Sequence, residues 1–422
     1  MKLRVLPALS LQALCLCVAS TLALADTPQF TGGHLKYRLR LNTFPEESIF
    51  HDLVGTPAVD QDTGLRLKFD WSGGGFSLLA DYQVIGQRGD SVKLAGTSLG
   101  SLAPAYSIVS DQYRLMDLTD VVSEDENSVL VQRLDRLSLG WTTDRAVARL
   151  GRQAISWGNG LIYTPMDFFN PFDPAAVDTE YKSGDDMAYM QYLRDNGDDL
   201  QAVWVLRRDA KGEVSSEVDS LAAKYHGFAG SGEYDLLLSE HYDDMVFALG
   251  GLTDAGGALL RGDVVLTDTQ SGTITSFVTN LSYSWVSGGR NVSGILEYFY
   301  NGFGQPDGEY APEEIAANTE LLERLQRGEL FTIGRHYIAA SALVEMTPLW
   351  LLTPNLFINA GDGSALLQLV SSYDLLQDLQ FLSALSIPLG PPGTEYGGIE
   401  TEYPGKTLGS GPSLFLQFAY YF

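Results

Sequence analysis

The sequence predicts an all-β protein, a transmembrane antiparallel β-barrel of about eighteen strands (roughly 16–18), with long extracellular loops and short periplasmic turns. Three observations carry this. Apolar and polar residues alternate along much of the chain, as where Leu35, Tyr37, Leu39 and Leu41 interleave with Lys36, Arg38 and Arg40. Such period-two spacing sends one set of side chains to each face of a strand. The segments that alternate are joined by connections that are short and long by turns. No run of about 18 apolar residues follows residue 25, so any membrane crossing falls to strands rather than helices.

The first 25 residues read as a signal peptide. Lys2 and Arg4 supply a positive start, an apolar run extends to Leu24, and Ala23-Leu24-Ala25 offers the small-x-small pattern for cleavage before Asp26. Pro7 and Ser10 interrupt the run, against a membrane anchor. Leu14 and Leu16 precede Cys15 and Cys17 where a lipoprotein signal needs a small residue. Both cysteines fall in this leader, so the exported chain is expected to hold no disulfide, thiolate metal site or cysteine nucleophile.

Residues 26–422 are expected to form a single barrel domain. Strands are expected near 34–44, 63–71, 76–85, 130–142, 145–154 and 187–194. They continue near 199–207, 217–228, 233–241, 244–251, 257–267 and 273–286. The last six lie near 290–301, 333–345, 349–358, 364–373, 378–387 and 413–422. Every even-numbered connection is short, Ser72–Gly75 and Ser287–Gly289 among them; the long ones, 45–62, 86–129, 155–186, 302–332 and 388–412, are all odd. That asymmetry is the one between periplasmic turns and external loops. Inside 302–332, Pro312 to Arg327 reads as one helix with Ile315, Leu321, Leu322 and Leu325 on its apolar side.

The final strand alternates Leu414, Leu416, Phe418, Tyr420 and Phe422 up to the end of the chain. An apolar row ending in aromatics suits a membrane interface. It resembles the closing strand of outer-membrane barrels, and that resemblance implies that Phe418, Tyr420 and Phe422 form a signal read by the barrel-assembly machinery. The rival architecture is a soluble sandwich or propeller. No repeat of 20–50 residues is visible, which counts against a propeller.

Without Lys2 and Arg4, the 27 basic residues fall to 25 against 53 acidic ones, a formal net charge of −28. Such a chain is a poor nucleic-acid binder. Its 19 Phe, 21 Tyr and 6 Trp also exclude a disordered acidic polymer. Expected partners are outer-membrane lipid, lipopolysaccharide, the assembly machinery and small solutes. No cofactor motif is present, and the acidic runs Glu124-Asp125-Glu126 and Asp185-Asp186 match no calcium-loop spacing.

If the apolar rows face lipid, then Lys36, Arg38, Arg40, Arg66, Lys68, Arg136 and Arg149 face the lumen. Pointing outward, each would cost roughly 2–4 kcal/mol at the bilayer midplane. The first five form a basic row on two adjacent strands, either a track for anionic solutes or a wall balanced by Asp70, Asp81 and Glu297.

Gly151-Arg152-Gln153, Trp157-Gly158-Asn159-Gly160 and Asn170-Pro171-Phe172-Asp173-Pro174 crowd into one connection. Here the chain resembles porin-like outer-membrane proteins of Gram-negative bacteria that carry a Gly-Arg-Gln strand end, a Trp-Gly and an Asn-Pro loop. Glu297-Tyr298-Phe299-Tyr300-Asn301-Gly302 and Asp362-Gly363-Ser364 extend the likeness, which implies a channel and no particular substrate. Two arrangements are open for the connection. It either folds inward as a constriction, with Asp167, Asp173, Asp178, Asp185 and Asp186 facing the basic wall, or packs outside on its neighbours.

Ser239 and His241 share a strand face, but no orienting acid is evident and no hydrolase motif occurs, so the chain is read as no enzyme. Passive diffusion of small hydrophilic solutes, anions among them, is the expected function. The alternatives are transfer of lipids or other hydrophobic molecules, and a structural barrel plugged by its loops. The expected location is the cell outer membrane.

Overall fold

A computed structural model describes residues 28–95 and 110–422, so the expected cleavage residues Ala23 and Ala25 lie outside the described residues. In chain order the strands begin β1 (Gln29–Asn42), β2 (Ala58–Gly73), β3 (Phe76–Gly89), β4 (Thr119–Asp125), β5 (Ser128–Thr142) and β6 (Ala146–Gln153). They continue as β7 (Asp185–Leu193), β8 (Asp199–Val205), β9 (Ser220–Ala229), β10 (Gly232–His241), β11 (Asp244–Ala255) and β12 (Ala258–Thr269). The rest are β13 (Gly272–Ser287), β14 (Arg290–Tyr300), β15 (His336–Thr347), β16 (Trp350–Asn359), β17 (Ala365–Leu376), β18 (Leu379–Leu389) and β19 (Ser413–Tyr421).

Apart from β4, each strand pairs antiparallel with its neighbours in the chain, β3 passing directly to β5. The sheet closes where β19 meets β1, from His34 opposite Tyr421 to Asn42 opposite Ser413. The result is the expected closed barrel of eighteen strands. Closure depends on a glycine: Gly33 donates to the Phe422 carbonyl at 2.8 Å and accepts from the Phe422 amide at 3.1 Å. A Cβ on Gly33 would stand 2.2 Å from the Arg66 carbonyl oxygen, so no larger residue fits without moving the seam.

The barrel is apolar outside and charged within. Leu35 and Tyr37 are 45% and 41% exposed, whereas Lys36 between them is 2% exposed and Arg66 on β2 is 1%. Among the described residues Arg152, Asp186, Glu297 and Gln417 are likewise buried, while Leu238, Phe247, Leu249, Leu296 and Leu369 are exposed. A solvent made of hydrocarbon outside and water or polar loop inside selects that arrangement.

The strand ends alternate as expected. Gly256-Gly257 and Gly288-Gly289 close two-residue turns at one end with φ of 71° and 91°, and 57° and 77°. Both residues of such turns need positive φ, which glycine adopts freely. At the other end two connections are as short, Tyr242-Asp243 and Gln270-Ser271, and the 360–364 turn between β16 and β17 has five residues. The external rim is therefore low along β10–β13 and at β16–β17, and higher where the long connections stand.

Three details differ from the sequence reading. β4 lies inside the connection 86–129, which was expected to be loop. It pairs with Ser128–Arg133 of β5, while β6 reaches only Leu137–Thr142, so β4 satisfies backbone groups that the short β6 leaves open. Short helices α1 (Ile49–Val54) and α2 (Asp90–Ala95) stand in two of the loops. The single helix expected over Pro312 to Arg327 is two, α3 (Pro312–Ala317) and α4 (Thr319–Arg327). Asn318 at φ −88° and ψ 75° ends the first, and its side chain caps the second by accepting from Leu321.

Candidate functional site

The inward wall of β1, β2, β3 and β5 is an ion-pair lattice. Arg66 donates to Asp81 at 2.8 Å and to Asp135 at 2.7 Å, and Arg133 and Arg136 share Asp135 at 2.6 and 2.9 Å. A bulge opposite Asp81–Tyr82 lets both Asp135 and Arg136 turn inward. Arg40 pairs with Asp62 at 2.6 Å, and Lys36 with Asp178 and Glu180 at 2.7 Å each. Arg149 stacks over Tyr189 at 4.5 Å. Among the described residues, Arg38 and Lys68 have no ion-pair partner. Of the three expected balancing carboxylates only Asp81 serves the basic row; Asp70 accepts from Thr31, and Glu297 lies across the lumen.

The connection between β6 and β7, residues 154–184, does not pack outside. It enters the barrel and touches the wall in two passes, over β8–β16 from Trp157 to Tyr163 and over β17 round to β5 from Ala175 to Lys182. Between them Met166 and Phe169 turn back onto β8–β12. Trp157 donates to Gln201 on β8 at 2.8 Å. Asn159 bonds Asp235 on β10 and Asp263 on β12, and its carbonyl accepts from Asn280 on β13. Glu297 on β14 accepts the backbone N–H groups of Leu161, Ile162 and Tyr163 at 2.8, 3.1 and 2.6 Å. Gln368 on β17 donates to the Ala175 carbonyl at 2.9 Å. Asp178 and Glu180 then reach Lys36 on β1, and Glu180 accepts from Tyr421 on β19 at 2.9 Å. Tyr181 lies under Arg66 on β2, and the Lys182 carbonyl accepts from Arg136 on β5.

That sequence of contacts is nearly a full circuit. Eighteen strands about 4.8 Å apart and tilted ~40° enclose a wall roughly 110 Å round. A segment of about 30 residues reaches at most ~100 Å when extended. The loop forms a hoop that contacts most of that circumference, but not in one extended pass. After Tyr163 reaches β14–β16, Met166 and Phe169 return to β8–β12, so the hoop doubles back inside the lumen and narrows it.

Apolar contacts hold the first half of the hoop. Ile155, Trp157, Met166 and Phe169 pack on Val203, Val205, Leu237, Val246 and Val265, an apolar patch on the lumen side of β8–β12. Tyr163 packs on Phe299, Tyr337 and Phe357 of β14–β16. The two limbs of the hoop are joined by Lys182, which donates to Asp167 at 2.6 Å and to the Ile155 carbonyl at 2.5 Å. Burial pushes the Asp167 carboxyl up to about 6 against the pull of Lys182, and burial likewise lowers the Lys182 ammonium.

The five acidic residues assigned to the constriction therefore separate. Only Asp178 faces the basic wall. Asp167 is used inside the hoop, and Asp173 accepts from the Ala175 N–H in a turn. Asp185 and Asp186 are not in the loop but open β7, where they bind Arg207 and Arg152. Arg152 is also held by Asp111, from a second connection that dips inward. The signal for Arg152 was its Gly-Arg-Gln motif; nothing nearby in sequence pointed to Asp111.

Residues 301–335 cover the low rim. Arg324 on α4 bonds Asp244 at 2.5 Å, and Arg327 stacks over Tyr242 at 4.0 Å. Ser239 does not partner His241. Instead His241 Nδ1 meets Ser220 Oγ at 2.7 Å and Nε2 meets Glu329 at 2.9 Å. Ser220 Oγ also accepts from Arg207, and Phe168 covers the imidazole at 4.7 Å. With a 1% exposed hydroxyl already holding a guanidinium, the group braces the cap to the wall. Among the described residues no group of three His, Cys, Asp or Glu is placed to hold a metal ion.

No protein-family model matches the sequence, and no curated protein matches it. Solved structures do resemble it in fold. One is Wzi of Escherichia coli, a carbohydrate-binding outer-membrane β-barrel involved in group 1 capsule assembly. It is 9% identical, with 98% of this chain and 89% of that chain covered, at a TM-score of 0.50. Another is OccK8 (OprE) of Pseudomonas aeruginosa, 10% identical, with 93% and 98% covered, also at 0.50. Likeness at this identity is one of architecture, and the architecture is that of a porin-like outer-membrane barrel.

Proposed function

We propose that the protein is an outer-membrane channel through which small hydrophilic solutes diffuse passively, anions more readily than cations. The observation that carries this reading is a wide barrel with a charged inner wall, narrowed by a loop folded inside it and anchored on strands around most of its circumference. Eighteen strands enclose more space than side chains alone fill. The loop reduces the bore, and the space it leaves is read as the path for solute. Within the basic row, Arg38 and Lys68 have no ion-pair partner among the described residues, so the anion preference is assigned to them.

The inner apolar patch on β8–β12 is covered by Trp157 and Phe169. A greasy path for lipids would need that patch free, which favours the diffusion reading over lipid transfer. The refolded mature chain in a planar bilayer under a salt gradient tests the proposal. Steady steps with an anion-selective reversal potential are expected, and replacing Arg38 and Lys68 by Gln is expected to move that potential toward neutrality. A folded barrel that passes no current overturns the channel reading.

A further inference from the structure

The hoop is held in two unlike ways. From Trp157 to Ala175 it is fixed by buried apolar side chains and by backbone groups bonded to Asp263, Glu297 and Gln368. From Asp178 to Tyr181 it is fixed by charge. Lys36 takes both Asp178 and Glu180, and the Tyr181 ring sits 4.0 Å from the Arg66 guanidinium, 4.9 Å from Lys68 and 5.7 Å from Lys36. Glu180 is the more accessible of the two carboxylates, 34% exposed against 17% for Asp178.

We propose that Lys36, Arg66 and Lys68 form a binding site for an oxyanion solute, and that Asp178–Tyr181 is a tethered competitor occupying it. The reading rests on the proposed channel in one respect, that solutes reach the lumen. Its chemistry follows from charge. Lys36, Arg38, Arg66, Lys68, Arg133 and Arg136 bring six positive charges to this stretch of wall, against four negative ones on Asp81, Asp135, Asp178 and Glu180. Lifting the segment leaves two carboxylates against six cations. A small dicarboxylate restores the balance that Asp178 and Glu180 supplied, with nothing else in the fold disturbed. Burial raises both hoop carboxyls, but the hydrogen bond and charge of Lys36 outweigh it and hold each below its ordinary range. The tether thus stays charged at neutral pH and is exchanged by another anion rather than by loss of a proton.

His34 offers a reporter. It is 3% exposed, its Nδ1 has no partner, and its ring lies 5.2 Å from Tyr181, which covers it. The mature chain is free of cysteine, so His34→Cys places one thiol beneath the segment. The refolded barrel, its fold verified by heat-modifiable migration on gels, is labelled with N-ethylmaleimide while succinate replaces chloride at constant ionic strength. The expected result is a saturable rise in labelling rate of at least about fivefold. Asp178→Asn with Glu180→Gln in the same background is expected to label at the fast rate without succinate. A rate indifferent to succinate overturns the exchange, and an equally slow rate in the double variant overturns the tether. Labelling needs no ion flow: a succinate response without conductance would sink the channel reading alone, and conductance without a response would sink this inference alone.

Discussion

Arg152 lies at the end of β6 with its guanidinium between Asp186 and Asp111, all three nearly excluded from solvent. A buried charge is tolerated only while it is paired, and removing one partner strands the others. Arg152→Met is expected to destabilise the barrel by about 3–5 kcal/mol, read by urea unfolding in detergent, because buried Asp186 loses its ion-pair partner while Asp111 keeps only Arg114 among the described residues. Glu297 sets a milder case. Glu297→Gln turns one acceptor into a donor facing the N–H groups of Leu161–Tyr163, at a cost of about 1–3 kcal/mol. Hydrogen exchange should quicken at those three amides while the strands stay protected. At this scale the sequence was half legible. The alternation put Arg66, Glu297 and the basic row on the face opposite the apolar rows, because period two determines facing. Which carboxylate each cation meets was not legible, since Asp111 lies 41 residues from Arg152 and Asp178 lies 142 from Lys36.

The external connections behave as elements in their own right. Residues 301–335 and 390–412 meet at Glu395, which accepts from Tyr337 at 2.6 Å, Asn359 at 2.7 Å and the Ile333 N–H at 3.0 Å. Its own N–H donates to Asp362. Burial pushes the Glu395 carboxyl from its ordinary 4.5 up to about 7, and no cation offsets it. A raised carboxyl stabilises the packed loops fully below about pH 4.5, and that contribution is lost as pH rises through about 7. The protection factors of the Ile333 and Glu395 amides, their exchange rates referred to the intrinsic rate at each pH, are therefore expected to be larger at pH 5 than at pH 8, and Glu395→Gln should remove that difference. An equal pH response in that variant would refute the assignment. The sequence marked these connections as long and external, and it placed a helix in one of them. It did not show that the 154–184 connection turns inward. The cause is visible in Val203, Val205, Leu237 and Val246: inward strand residues that are apolar look, in a lone sequence, like any other apolar residue. Only the circle of strands brings them together as a patch that Trp157 and Phe169 cover.

The whole molecule was the most legible scale. Eighteen barrel strands, the alternation of short and long connections and the aromatic closing strand all follow from local rules that each segment obeys separately. What the barrel requires of its outer face is equally local. Leu369 faces lipid on β17, and Leu369→Arg is expected to cost roughly 2–4 kcal/mol if it lies near the midplane, falling toward zero near either interface. The bore is a property of the assembled molecule, because the hoop narrows it only once its anchors, spread over strands from β8 round to β5, are in place. The most direct test is single-channel conductance of the wild type beside a variant in which residues 157–181 are replaced by a short Gly-Ser linker. The hoop account predicts small steps for the wild type and severalfold larger steps for the shortened chain. Identical steps from both, or silence from both as verified folded barrels, would contradict it.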